Sequence, residues 1–159
     1  MAGGTGAKLP RKQNVVRYVG GLHYDREKDQ VAGSAFDRTT KDNDGLSFTQ
    51  RRILDADSEA DKDSIRKVFA SRMSLGRTAC FAELNVGKAL DALDEFEQDF
   101  SFVENPIPAE GDKLANPAHV LLIGLPFKGE VVGTLRSELA GDRLCRAIIG
   151  KFPAHKTAD

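Results

Sequence analysis

The side chains best suited to chemistry are few. His23 follows the first strong apolar segment, within Leu22-His23-Tyr24-Asp25. His119 follows Asn116-Pro117-Ala118 and opens the most apolar run of the chain, Val120-Leu121-Leu122-Ile123. An imidazole changes charge near neutral pH and can serve as acid or base. Guanidinium groups such as Arg17 and Arg38 suit phosphate, which they grip with paired hydrogen bonds. Together these residues would suit a nucleotide-like ligand, with Arg17 and Arg38 holding phosphate and His23 or His119 moving a proton. That chemistry requires residues far apart in sequence to share one cleft. Taken alone, His119 reads as a hydrogen-bonded, partly buried structural residue, and His155 falls in a tail expected to fray.

The acids suggest a different use. Asp91, Asp94 and Glu95 fall at i, i+3 and i+4, so on a helix their carboxylates share a face. No His-x-x-Glu or His-Glu-x-x-His pattern accompanies them, and a solvated face that meets a basic partner is the expected role. Other motif-like stretches fail on spacing. Asp42-Asn43-Asp44-Gly45 has a calcium-loop flavour. With Gly45 at the sixth loop position, however, Thr40 falls where an acid is needed and Arg51 where a bidentate Glu is needed. Gly3-Gly4-Thr5-Gly6-Ala7-Lys8 and Gly87-Lys88-Ala89 lack the spacing and hydroxyl of a phosphate loop. Gly87 retains only the chance of an anion at a helix N-terminus. Gly45-Leu46-Ser47-Phe48-Thr49 lacks the second glycine of a nucleophile elbow. Cys80 and Cys145 form no Cys-x-x-Cys pair, so two reduced thiols are expected and no metal site. No cofactor is implied.

These residues must be positioned by elements that the periodicity outlines. The segment 14–19 reads as a strand, ended by Gly20-Gly21. Residues 22–44 are polar and irregular, with a short strand at 31–36 and a turn at 42–45. Residues 46–49 fit a short strand or the opening of a helix. A helix over 61–73 follows, capped by Ser58 and apolar at Ile65, Val68 and Phe69. Residues 79–86 form a mostly buried strand, Gly87 turns into a helix along Ala89, Leu90, Leu93 and Phe96, and 100–103 returns as a strand. Strand, helix and strand in so short a stretch predict a βαβ crossover at about 79–103. Residues 118–123 fit a short helix or a buried strand. An amphipathic helix over 129–140 follows, then a last turn that Asp142 would cap. A helix-turn-helix there is only weakly suggested.

The chain has 159 residues, 40% hydrophobic and 30% charged, with a net charge of −1. This fits one α+β domain. The expected architecture is a small mixed sheet containing the βαβ unit, with amphipathic helices packed on it. The expected organisation is a flexible basic tail at 1–13, a single domain at 14–150 and a frayed C-terminus at 151–159. Lys8, Arg11 and Lys12 of the tail could touch nucleic acid weakly, without interleaved aromatics to support it. Residues 79–112 carry nine acids against Lys88 alone, a surface that repels phosphate. No apolar run is long enough for a membrane span, and no apolar signal core begins the chain. A cytoplasmic location is expected, with no membrane partner.

Three stretches resemble a group of small uncharacterised bacterial proteins. They are Val16-Arg17-Tyr18 with Ala35-Phe36-x-Arg38; Asp44-Gly45-Leu46-Ser47; and Asn116-Pro117-Ala118-His119 with Ile123-x-Leu125-Pro126. The resemblance implies a bacterial cytoplasmic protein in an accessory-gene or defence setting, and brings no catalytic role. Glu104-Asn105-Pro106 departs from a His-Asp-Pro-like turn expected there. With no catalytic constellation intact, the leading expectation is a non-enzymatic accessory protein that binds another protein. Asp91, Asp94, Glu95 and the 104–116 loop are its candidate contacts.

Overall fold

The structure is a computed structural model that describes residues 6–38, 45–96, 99–125 and 131–155, without the side chains of 131–136. A segment rich in β-branched and aromatic residues, Asn14–Val19, forms the first strand (β1). A hairpin, Tyr24–Asp25 (β2) and Gln30–Val31 (β3), follows, and Gly33–Phe36 forms a 3₁₀ turn. Leu46–Gln50 (β4), Ser58–Ala70 (α1), Cys80–Asn85 (β5) and Val86–Ala92 (α2) come next. Ser101–Glu104 (β6), His119–Ile123 (β7), Val131–Arg146 (α3) and Ile148–Pro153 (β8) complete the chain. The hairpin tip is held by the Asp25 carboxylate, which accepts from the backbone N–H of Glu27 and Lys28 at 3.1 Å each, an Asx-type turn.

Six strands form one sheet in the order β6-β7-β4-β1-β5-β8, and every neighbouring pair is antiparallel. The expected α+β class holds, but the sheet is antiparallel rather than mixed. The segments 80–85 and 101–104 are strands joined through a helix, as expected. They are not neighbours, however. The alternating directions make β5 and β6 run the same way, with β1, β4 and β7 between them. The hydrophobic pattern specified two buried strands and a helix, but it carried no information on which strands pair.

The two faces of the sheet are buried separately. On one face Val15, Val19, Phe48, Leu84, Phe102 and Leu122 pack beneath α2, α3 and the 3₁₀ turn. On the other, Val16, Phe81 and Phe152 meet Ile65 and Phe69 of α1. Gly141 lets α3 approach the 3₁₀ turn backbone to backbone, since a Cβ there would lie 2.4 Å from the Gly33 carbonyl oxygen.

Several expected boundaries move. Asp57, not Ser58, caps α1, accepting from the Ala60 N–H at 2.9 Å. The strand expected at 31–36 is β3 followed by the 3₁₀ turn, because the backbone closes i to i+3 from Ala32 to Ala35 at 3.0 Å. The helix expected to end at 140 runs through Gly141 to Arg146, so no helix-turn-helix forms. The flexible basic tail is corrected from residue 6 onward. Leu9 is buried, its N–H bonds the Phe102 carbonyl at 2.9 Å, and Glu104 N–H bonds the Ala7 carbonyl at 2.8 Å. The frayed C-terminus is corrected as far as residue 155: β8 pairs along β5, and Ala154 is buried. Residues 1–5, 42–44 and 156–159, where a glycine-rich tail, a turn and fraying were expected, lie outside the described residues. No helix among the described residues is long and apolar enough to cross a membrane.

One polar cluster is buried in this frame. Arg51, 6% exposed, donates from Nε to Asp61 at 2.8 Å, from Nη1 to Glu83, and from Nη2 to the Ser58 hydroxyl at 3.0 Å. Asp61 is fully buried and also accepts from the Arg52 N–H at 2.7 Å. The cluster ties the start of α1 to β4 and β5.

Candidate functional site

The residues expected to share a nucleotide cleft are only partly brought together. Arg17 points its Nε at the Ala35 carbonyl, 2.6 Å away, and its Nη1 at the Ser47 carbonyl, 2.9 Å away. Arg38 donates to the Leu125 carbonyl at 2.8 Å. His23 bonds the Ser34 hydroxyl through Nδ1 at 2.7 Å. These three hold the 3₁₀ turn and the end of β7 in place. His119 begins β7 and bonds the Asn105 carbonyl through Nδ1 at 2.8 Å. Arg17 and His119 line one cleft, and His23 and Arg38 stand outside it.

The acidic trio is largely answered from within the chain. Asp91 pairs with Arg11 at 2.7 Å and Glu95 with Arg143 at 2.6 Å. Asp94 stands exposed beside them. The anion site considered at Gly87 is closed. The N–H groups of Val86 and Gly87 bond the carbonyls of Gln13 and Arg11, and that of Lys88 bonds the Asn85 side chain. No metal-ligating cluster occurs among the described residues. Burial pushes the thiols of Cys80 and Cys145 up to about 11, which leaves both protonated and poorly nucleophilic at neutral pH.

A depression of about 540 Å³ lies along β8, lined by residues of the β2–β3 hairpin and the end of the sheet. The two edges of the sheet differ. Residues 7–9 bond along β6, whereas no segment pairs with the outer side of β8 among the described residues. Ala154 N–H bonds the Ala79 carbonyl at 3.0 Å. By the alternation of an antiparallel ladder, Phe152 and Gly150 then face β5, and Lys151 turns its N–H and carbonyl outward, whereas the outward carbonyl of Pro153 accepts from Arg66 Nε at 2.9 Å. Ile149, at a bulge beside them, is exposed.

The Lys151 side chain does not guard this edge. Its ammonium is drawn to the hairpin, where it bonds the Asp29 carbonyl at 2.8 Å and lies 3.4 Å from the Asp29 carboxylate. Tyr24 donates to the same carboxylate at 2.6 Å. That bond, aided by burial, pushes the phenol up to about 12; the same bond, with the Lys151 charge and against burial, holds the Asp29 carboxyl below its ordinary range. Arg26 and Arg77 line the groove and have no ion-pair partner among the described residues. The groove is therefore cationic and borders the outward backbone of Lys151. No family model matches this chain, and no curated protein or solved structure is significantly similar to it. Its function rests on its own geometry.

Neither Arg26 nor Arg77 stood out in the sequence, where each is an ordinary surface charge. A strand written Ile-Ile-Gly-Lys-Phe-Pro was the available signal, and Gly150 and Lys151 broke its apolar pattern.

His119 makes a separate prediction. Burial lowers its pKa from the usual 6.5, the bond to Asn105 opposes this, and the Arg72 charge adds to the lowering. The unfolded chain therefore takes up a proton near pH 6.5 that the folded chain resists. Stability is complete above that pH and declines as pH falls from 6.5 through the folded value. Between about pH 7.5 and 5.5 the urea midpoint should fall more for the native chain than for His119→Gln. Parallel profiles would show that the fold does not hold this imidazole neutral.

Proposed function

We propose that this chain is a non-enzymatic binding module that takes an acidic, extended segment of another protein onto the free edge of β8. The observation that carries this reading is the unpaired edge beside two arginines with no carboxylate partner. Strand addition draws its affinity from backbone hydrogen bonds and its selectivity from the side chains flanking the edge. Here the outward N–H and carbonyl of Lys151 supply the former. Arg26 and Arg77 supply the latter, since each would meet a carboxylate on the incoming strand. The acids at Asp91 and Glu95 are neutralised internally, so the contact surface moves from the expected acidic helix face to this cationic groove. A bacterial accessory role, implied by the resemblance of short stretches, is compatible with such a module.

The test uses a labelled peptide of alternating valine and glutamate, its lysine counterpart, and the acidic peptide N-methylated at alternate amides. Fluorescence anisotropy should show binding of the acidic peptide alone. Arg26→Glu with Arg77→Glu should slow association about tenfold or more at low salt. N-methylation, which keeps the charge but removes strand pairing, should abolish binding. Equal binding of the acidic and basic peptides, or of the methylated one, would refute the reading. So would an unbound acidic peptide.

A further inference from the structure

The cleft that holds His119 arises from a split in the sheet. β1 stays paired with β5 as far as Val19↔Cys80, and β4 stays paired with β7 as far as Leu46↔Leu122. Between them, β1 and β4 pair only at Val15↔Gln50 and Val16↔Thr49. Beyond Val16 the strands part, and the Arg17 guanidinium bridges the gap through its bond to Ser47. The cleft beside this split has a volume of about 290 Å³. A cavity of about 150 Å³ holds one benzene ring, so this space suits a fused pair of rings. It lies apart from the β8 groove and shares no lining residue with it.

The walls decide what kind of ring. Tyr18, Val68, Phe69, Met73 and Ile107 make them mainly apolar. The polar side chains present are mostly committed to the protein. Arg72 bonds the Leu114 carbonyl at 2.6 Å and the Pro108 carbonyl at 3.1 Å, fixing the loop that forms one wall. Asn116 bonds the Thr49 hydroxyl at 3.1 Å and accepts from the Ala118 N–H at 3.2 Å. The Tyr18 hydroxyl accepts from the Gly76 N–H at 2.8 Å.

His119 is the exception. Its Nδ1 faces a backbone carbonyl, which can only accept, so Nδ1 carries the proton. The neutral ring then keeps an unshared pair on Nε2, which has no partner among the described residues and stays open to the cleft. An open acceptor within mainly apolar walls is best answered by an N–H donor. Two guanidinium groups in the lining oppose a cationic ligand.

We infer that this cleft is a second binding site, for a neutral bicyclic heteroaromatic molecule of purine or indole size that donates a ring N–H to His119 Nε2. The phosphate half of a nucleotide is not served here, because Arg38 is engaged elsewhere. The ring system alone is the ligand class.

Indole and 1-methylindole are the probes, alike in shape except that the second lacks the donor. Titrations of the full chain followed by ¹H–¹⁵N NMR should show saturable shifts for indole centred on Tyr18, Phe69 and His119. 1-Methylindole should bind about tenfold more weakly, the worth of one hydrogen bond. His119→Phe, which keeps a ring but removes the acceptor, should erase the difference between the probes. The same spectra report whether that variant is folded; if it is not, the two probes on the native chain decide the matter. No saturable shift, shifts centred elsewhere, or equal affinity for the two probes would overturn the inference.

Discussion

Asp61→Ala is expected to lower the folding free energy by about 3–5 kcal/mol, the cost of breaking a buried ion pair from one side. Asp61 is fully buried and Arg51 is 6% exposed. The carboxylate accepts from Arg51 Nε at 2.8 Å, from the Arg52 N–H at 2.7 Å and from the Asp55 N–H at 3.3 Å. Its removal leaves a dry guanidinium with Glu83 and Ser58 alone, and two backbone donors without an acceptor. Arg52 also sits at φ 62, a left-handed conformation that this bonding holds in place. Arg51→Met should be costly too, because it strands Asp61. The double variant should lose much less than the sum, since the partners no longer penalise each other. Urea unfolding with unchanged m-values is the measurement. An Asp61→Ala loss below about 1 kcal/mol would mean the cluster is hydrated and worth no more than a surface pair.

None of this cluster was visible in the sequence. Arg51, Asp61 and Glu83 are separated by 10 and 32 residues from one another along its two ion pairs, and no local pattern marks charges that meet only across a sheet. The elements were far more legible than their neighbours. The β-branched and aromatic residues of 14–19 found β1, and the apolar runs found β5 and β6, because such side chains pack well on a buried pleated surface. The 3–4 spacing of Ile65, Val68 and Phe69 found α1, because residues so spaced share one helix face. Pairing order obeys no such local rule. Segments that are short in connection and strongly apolar suggested adjacency, yet three strands came between them. The first thirteen residues misled for another reason. Among the described residues 6–13, Leu9 is the one buried apolar anchor, and the attachment otherwise consists of polar contacts with β6, the start of α2 and Arg51, which composition does not register.

The candidate sites divide in the same way. Arg17 and His119 were noticed for their chemistry, and the cleft between β1, β4 and β7 unites them with Asn116 and Ser47. What the sequence could not supply was which donors and acceptors remained free after folding. Arg38 and His23 look as reactive in the sequence as Arg17 and His119, but each is held by a neighbour outside the cleft. Conversely, Arg26 and Arg77 gain their significance only from what fails to neutralise them. Function here depends on residual hydrogen-bonding and charge capacity, a property of the packed chain.

Phe81→Ala is expected to cost about 3–5 kcal/mol, and Phe81→Leu less than about 1.5 kcal/mol. Phe81 has no exposed surface and joins three rings: Phe69 of α1 at 5.0 Å, Tyr18 of β1 at 5.6 Å and Phe152 of β8 at 5.1 Å. The core on this face is small, so few neighbours can close over the lost ring, and the cavity term should dominate. Lys62, Arg66 and Arg51 lie over the Phe152 ring at 5.5, 5.1 and 5.7 Å, which extends the same stack from α1 to the edge strand. Loss of Phe81 should therefore loosen α1 and β8 before the opposite face. Hydrogen exchange on the alanine variant should show α1 and β8 amides losing protection while those of β6 and β7 keep it. Uniform loss across all strands would mean that the two faces unfold as one unit, and that α1 does not set the geometry of the β8 edge.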